Sequence, residues 1–350
     1  MKEKSLPSWT WQQRSLALLS VWRPAALRSN WRGVTICSVI ALAATFVSTT
    51  YGGPQLLYAL FFGLAFHFLS QDALCLPGIQ FCSQTLLRTG VALLGARITF
   101  DQIAHIGVLP LLLVLLAVVS TIACGGLVAH VLGRTRSEGL LSGGAVAICG
   151  ASAALAISAV LPRTRENEQF TLLTVVGVTA LSTAAMIVYP LLVHVLALDH
   201  TAAGIFLGGT IHDVAQVVGA GYLISPHTGE IATIVKLTRV AMLVPVVIAV
   251  SLLFRTRMQA EATRMPLVPV FLVGFALMML ANSLHLIPPA VDEGLNALSR
   301  VCLVLAIAAL GVKTSFQALA SLGWKPVLML VSETVWIAGL VLLALAWMGW

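Results

Sequence analysis

The stretch "LGARITFDQIAHIGVLP" (Leu94–Pro110) returns 216 residues later (310 − 94 = 216) as "LGVKTSFQALASLGWKP" (Leu310–Pro326). Six of the 17 positions are identical without a gap, among them Phe100 with Phe316, Gly107 with Gly323 and Pro110 with Pro326, and Arg97 pairs with Lys313 and Thr99 with Ser315 as like residues. Chance does not readily produce such a match, so the chain carries two copies of one unit. Whether the copies run in the same or opposite directions depends on what lies between them.

Composition says what that is. The chain is 59% hydrophobic and 9% charged, with a mean hydropathy of +0.98. A soluble domain carries about 25% charged residues, so a water-facing surface cannot be built here. Apolar runs of about 20 residues recur, each long enough to span a bilayer, and the short alternating strands of a transmembrane barrel are absent. The expected fold is an all-α polytopic membrane protein with about 11 membrane-spanning segments, near residues 34–51, 54–70, 80–97, 107–131, 139–161, 170–197, 203–225, 231–254, 267–287, 295–313 and 325–348. No linker can hold a soluble domain, so residues 33–350 read as one transmembrane domain.

The formal charge of +7 follows the loops and is no sign of nucleic-acid binding. Lys2, Lys4, Arg14, Arg23, Arg28 and Arg32 precede the first span; Arg134 and Arg136, then Arg255, Arg257 and Arg264, cluster in short loops. That is the positive-inside pattern, and it predicts a cytoplasmic N-terminus. Residues 1–32, with Trp9, Trp11, Trp22 and Trp31, read as a basic segment resting on the inner membrane surface. In this topology the first copy ends its helix outside and the second inside, which predicts inverted repeats. The six cysteines show no CxxC pair and no His at metal-ligand spacing, so no disulfide, metal or cofactor is expected.

Two glycine-rich spans resemble each other: "SGGAVAICGASAALAISAVLP" from Ser142 and "LGGTIHDVAQVVGAGYLISP" from Leu207. Gly143, Gly144 and Gly150, and Gly208 with Gly209, weaken helix interiors. In lipid a broken helix is tolerated only where its backbone is buried in protein or lines water; close packing of small residues is the other reading. If both spans cross once, the loop Arg163–Asn167 lies outside; if both are re-entrant hairpins it lies inside, which its arginines prefer. The two spans do not fall at matching positions of the 216-residue repeat.

Charged groups at mid-membrane cost at least about 2.5–3.5 kcal/mol and are functional candidates by default. His212, Asp213 and Gln216 are spaced to border one site, and a helix restarting after Gly208–Gly209 would offer free N–H groups to an anion. His212 and Asp213 could handle a proton or a cation; a buried hydrogen bond tying two helices is the alternative. Lys236 and Arg239 share a helix face and need a carboxylate, such as Asp213, or a bound anion. Cys149 and Ser152 flank Gly150 in the first glycine-rich span. Arg88, with Asp72 as its nearest candidate acid, and Arg97 and Lys313 are further pathway candidates, although the last two read more readily as helix caps.

"LLRTGVALLGARITFDQI", "ICGASAALA", "GGTIHDVAQVVGAG" and "KLTRVAMLVP" together resemble the YeiH-like family, whose members carry the name sulfate exporter and are grouped with cation/proton antiporters and anion transporters. The likeness runs from about residue 33 to the C-terminus. It implies two inverted repeats with discontinuous helices and a bacterial inner-membrane location. His212, Asp213, Gln216, Lys236 and Arg239 carry over as motif positions.

The expectation is a secondary active transporter of a small anion, sulfate or a related oxyanion, exported with a coupling proton or sodium ion. The substrate-binding set is Gly143, Gly144, Cys149, Gly150, Ser152, Gly208, Gly209, His212, Asp213, Gln216, Lys236 and Arg239. No GxxxxGK[ST] motif points to nucleotide-driven pumping. Two rivals stand beside it: a cation/proton antiporter using Asp213 as ion site, and an intramembrane enzyme using His212 and Asp213, for which no second catalytic motif is present. The oligomeric state stays open, a homo-oligomer included.

Overall fold

The computed structural model describes residues 24–52, 54–100, 107–162, 164–254, 270–314 and 323–349. The expected basic segment up to residue 23, Arg163 and the loop 255–269 lie outside the described residues. Every described element is a helix. They are α1 (Pro24–Tyr51), α2 (Gln55–Ala65), α3 (Leu76–Gln80) running through a π turn (Phe81–Leu86) into α4 (Leu87–Leu94), α5 (Val108–Val131), α6 (Arg136–Ala147), α7 (Ala151–Ser158), α8 (Arg165–Val195), α9 (His200–Thr210), α10 (Val214–Ile224), α11 (Pro226–Ala241), α12 (Leu243–Leu253), α13 (Val270–Ser283), α14 (Pro289–Lys313) and α15 (Trp324–Trp347). Among the described residues, six stretches are long and apolar enough to cross a membrane: Ser29–Tyr51, Val108–Val131, Arg165–Val195, Pro226–Leu253, Ala290–Lys313 and Trp324–Trp347.

The repeat is visible in the backbone. Gly107 (φ 83°, ψ 166°) and Gly323 (φ 81°, ψ 156°) open helices α5 and α15, each of 24 residues, in one shared conformation that only glycine adopts freely. Their mates also pack alike. Gly95 lies against Phe275 and Met278 of α13, and Gly311 lies against Leu60 and Gly63 of α2; subtracting 216 from Phe275 and Met278 gives Ala59 and Phe62 on α2. Each copy thus lends its α2-type helix to the other.

The copies are inverted. Lys325 Nζ donates to Leu132 O (3.1 Å) and Trp336 Nε1 to Ser120 Oγ (3.3 Å), so α5 and α15 run antiparallel. Ser120 and Trp336 are repeat mates in contact, which puts the pseudo-two-fold axis beside them.

Both glycine-rich spans are hairpins that enter and leave at the same end. In hairpin 1 (α6–α7), Ile157 packs on Gly144 across the fold-back, and Arg134 at its base lies over the Phe170 ring at the start of α8 (5.4 Å). In hairpin 2 (α9–α10), Ser225 Oγ lies 3.2 Å from His200 Nδ1, and Thr228 Oγ1 donates to His200 O (3.1 Å), joining the two ends. Helix α8 connects one base to the other, so the hairpins enter from opposite ends and their tips meet between. The bases are built by local chemistry. Thr135 and Glu138 form a capping box for α6, Asp199 caps α9 through Thr201 and Ala202, and Ser225 caps α11 with Pro226 following.

This arrangement accounts for the hairpins' mismatch with the repeat. Hairpin 1 follows α5 in sequence, and hairpin 2 precedes its own copy. In space, α15 passes Thr334 beside the second tip and Val341 beside Gly209, so its C-terminal half runs toward the base of hairpin 2. Each hairpin therefore opens at the end where its α5-type helix finishes.

The helices form two groups. α1–α4, α13 and α14 make one bundle; α5–α11 with α15 make the other, and α10 is the main strut between them, against α2 and α14.

Candidate functional site

The breaks lie at the hairpin tips, not at the glycine pairs. Gly143 and Gly144 sit inside α6, and Gly208 and Gly209 inside α9; all four are buried in unbroken helix. They serve close packing: Gly143 against Ile122 of α5 (3.0 Å for an added Cβ), Gly208 against Ala232 and Val235 of α11, and Gly209 against Val341 of α15. The helix instead stops at Ile148–Gly150, where Gly150 has φ 64° and ψ −125°, and at Ile211–Asp213, where the backbone is extended. A Cβ on Gly150 would lie 3.6 Å from the His212 Cβ, so the tips touch.

A helix that stops inside a membrane protein leaves its last carbonyls without partners. Here α6 and α9 stop side by side, and one face of α11 serves both. Lys236 Nζ donates to Ile148 O (2.7 Å), Ile211 O (2.8 Å) and His212 O (2.5 Å). Arg239 donates through Nε to Ala147 O (2.7 Å), Nη1 to Gly208 O (3.1 Å) and Ile211 O (3.0 Å), and Nη2 to Val146 O (2.8 Å). Both side chains are fully buried. Two cations taken out of water are costly unless hydrogen-bonded; six carbonyl oxygens at the negative ends of two helix dipoles supply that stabilisation. An ammonium has three donors and a guanidinium five, so Lys236 is saturated and Arg239 has one N–H left. The expectation that Asp213 pairs with these cations is therefore revised: no Asp213 ion pair with Lys236 or Arg239 is present within 4.0 Å, and the carbonyls take those hydrogen bonds.

His212, Asp213 and Gln216 do not converge on one hollow; each has its own partner. His212 Nε2 lies 3.0 Å from Thr334 Oγ1 on α15. The Thr334 hydroxyl donates to Leu330 O (2.6 Å), which leaves its oxygen to accept from His212 Nε2–H. Gln216 Nε2 donates to Thr183 Oγ1 on α8 (3.0 Å). The Asp213 carboxylate caps α10 through Ala215 N (2.8 Å), while its own N–H donates to Ser182 Oγ (2.9 Å). Asp213 is half-buried, unlike His212 and Gln216.

Hairpin 1 restarts without help. Gly150 provides no side-chain cap for α7, Ser152 beside it is exposed, and Cys149 is buried. Among the pathway candidates, Arg88 is exposed and makes no ion pair with Asp72, whose carboxylate accepts from Leu74 N (2.9 Å) and Cys75 Sγ (3.1 Å). Arg97 pairs with Glu230 (3.6 Å), and Lys313 Nζ donates to Ser83 Oγ (3.3 Å).

Sequence reading passed over Glu333. It is fully buried midway along α15; Oε1 accepts from Ser142 Oγ of α6 (2.6 Å) and Oε2 has no partner among the described residues. Being an acid nine residues into an apolar span was signal enough. With Thr334 beside it, α15 holds hairpin 1 through one residue and hairpin 2 through the next.

The family described as conserved hypothetical protein 698 matches residues 32–330. The UPF0324 membrane protein CT0845 of Chlorobaculum tepidum is 53% identical over 320 residues, covering 91% of this chain and 89% of its own. The UPF0324 membrane protein RB0971 of Rhizobium meliloti is 47% identical over 320 residues (91% and 93%), and TauZ of Paracoccus denitrificans is 46% identical over 327 residues (92% and 97%). The likeness to the YeiH-like family drawn from the motifs agrees with these matches. The chain belongs to the conserved hypothetical protein 698 family of UPF0324 membrane proteins.

Proposed function

We propose that the protein is a secondary active transporter of a small anion. One observation carries this reading: two half-membrane hairpins enter from opposite ends and meet at their tips inside an inverted repeat, with a cationic clamp behind them. Broken helices at the repeat interface are how transporters assemble a solute site at mid-depth. The α7 N-terminus, uncapped at Gly150 and bordered by exposed Ser152, is where an anion would meet free N–H groups. Lys236 and Arg239 take the role of holding the tips in place, and a rocking motion of one bundle against the other would expose the tips to each side in turn. Half-buried Asp213, in no ion pair among the described residues, is the group offered to a coupling proton or sodium ion.

Orientation follows from charge. Arg134, Arg136 and Arg165 at the base of hairpin 1 lie at one end with Lys325, and Arg32 joins them through the packing of Gly33 on Gly78. The opposite end carries Asp199, Asp292 and Glu293. The basic end is assigned to the cytoplasm of a bacterial inner membrane, and with it the N-terminus. Sulfate or a related oxyanion, and export as the direction, rest on the resemblance alone.

The test is flux in proteoliposomes. Anion movement stimulated by a proton or sodium gradient is expected, lost on Gly150→Val and reduced on Ser152→Val. Sodium or proton exchange indifferent to every anion supplied would overturn the anion reading in favour of a cation/proton antiporter centred on Asp213, a second reading favoured by the lack of an ion-pair partner for Asp213 among the described residues.

A further inference from the structure

A cavity of about 220 Å³ lies well away from the hairpin tips, at the seam between the two bundles. One wall is hairpin 2 and the turn after it (Tyr222, Leu223, Pro226); the other is α2, the end of α4 and α14. It sits beside the base of hairpin 2, at the end remote from the basic loops. Two arginines nevertheless line it, Arg97 and Arg300.

Only one of those charges is answered. Arg97 pairs with Glu230 (3.6 Å) and lies over the Tyr222 ring (5.7 Å). Arg300 is exposed and in no ion pair among the described residues. Two further wall residues carry buried polar atoms with no partner among the described residues, Tyr222 Oη and Asn296 Oδ1. Buried polar groups are almost always satisfied, so two orphans on the wall, beside a guanidinium answered by solvent alone, mark a place where a ligand that turns these side chains toward it supplies the missing partners. At the repeat-mate position Lys313 bonds Ser83 directly; the corresponding pair, Arg97 and Ser299, borders the cavity instead. Apart from the Gln55 amide, the rest of the wall is apolar, including Leu56, Leu94, Leu223 and Leu303.

We infer that this cavity is a recognition site for a small organic anion, with one acid group on Arg300 and Tyr222 and a short apolar body against the leucines. The acid group answers the single unpaired cation. The Asn296 amide, whose oxygen and nitrogen exchange places by a flip, meets a donor or an acceptor on the same ligand. A bare sulfate would leave the leucine wall unused and bring two charges to one free arginine. The site rests on the transporter reading for its purpose, being the last stop before, or the first stop after, the hairpin tips; its existence is tested without it.

The experiment is equilibrium binding to the purified full chain, with no gradient, using propane-1-sulfonate, propionate, sodium sulfate and 1-propanol as probes. The sulfonate or the carboxylate binds most tightly and the alcohol does not bind. Arg300→Gln weakens that binding about tenfold or more, as loss of one charge-assisted hydrogen bond requires, and Arg300→Lys restores part of it. Tyr222→Phe, which keeps the ring under Arg97, weakens it a few-fold. Sulfate binding as tightly as the alkyl acids, or Arg300→Gln leaving affinity unchanged, overturns the inference. Wild-type protein that binds these acids but moves no anion in liposomes sinks the transporter reading and leaves the site standing. Flux that persists while no alkyl acid binds does the reverse.

Discussion

The two hairpins share an outline and differ in how they are held. In hairpin 2 the restart is tied on three sides: Asp213 caps α10 while its N–H reaches Ser182, His212 reaches α15, and Gln216 reaches α8. The first eight residues of α10, Val214–Gly221, are all buried. In hairpin 1 the restart has a bare glycine, no cap, and an arm of eight residues with Ser152 and Leu155 exposed. What fixes hairpin 1 is its first arm, through Ser142 to Glu333 and through the carbonyls given to Arg239 and Lys236. The first arms are scaffold in both hairpins. The second arms differ: one is locked, and the other begins with no side-chain cap on its first N–H groups.

The harshest test of that division is Arg239→Met. Among the described residues it removes the one side chain bonded to the Val146, Ala147 and Gly208 oxygens, leaving three buried carbonyls without that partner at about 1–3 kcal/mol each. A loss of about 3 kcal/mol or more in stability is expected, read as a fall in the thermal unfolding midpoint in detergent. Arg239→Lys recovers only part, because a point ammonium cannot fork across two hairpins. A methionine variant as stable as wild type would mean the clamp is not what joins the tips.

A smaller effect separates the two tips. Gly150→Ala meets no steric wall, since the nearest atom to the new Cβ is 3.6 Å away, but φ 64° with ψ −125° is strained for any side chain. The cost is about 1–3 kcal/mol. If Gly150 were simply a packing glycine like Gly143, the penalty would come from collision and a flexible neighbour could relieve it. Comparing Gly150→Ala with Gly126→Ala, where an added Cβ has open space, isolates the conformational cost.

The sequence revealed the repeat because the 216-residue offset falls on residues with fixed backbone duties, Gly107 and Gly323 above all. It showed where the breaks lie to within a few residues and misread their cause. Glycine pairs draw the eye, yet Gly208–Gly209 keeps α9 helical against α11, and the break follows at Ile211, a β-branched residue with no breaking habit of its own. What stabilises the break is Lys236 and Arg239, some 25 residues away in sequence, and no local pattern announces a bond to a carbonyl. The same blindness led to pairing those cations with Asp213: side-chain chemistry is legible in a sequence, whereas unpaired backbone is not. Glu333 was legible by the rule applied to Asp213, being an acid inside an apolar span.

The gentlest perturbation bears on hairpin 2 alone. Asp213 Oδ1 accepts from Ala215 N, so Asp213→Ala removes a helix cap worth about 1 kcal/mol. Asp213→Asn keeps a carbonyl oxygen at the same place and should recover nearly all of the lost stability. That pair of variants splits structure from coupling. If Asp213 only caps α10, flux follows stability, and the asparagine protein transports as wild type does. If its charge is also the seat of a travelling proton or sodium ion, the asparagine protein is as stable as wild type and no longer responds to the gradient. Stability from thermal unfolding and gradient-driven flux in proteoliposomes, measured on the same preparations, tell these apart. The second outcome would show that the tied hairpin is bound for function as well as for support.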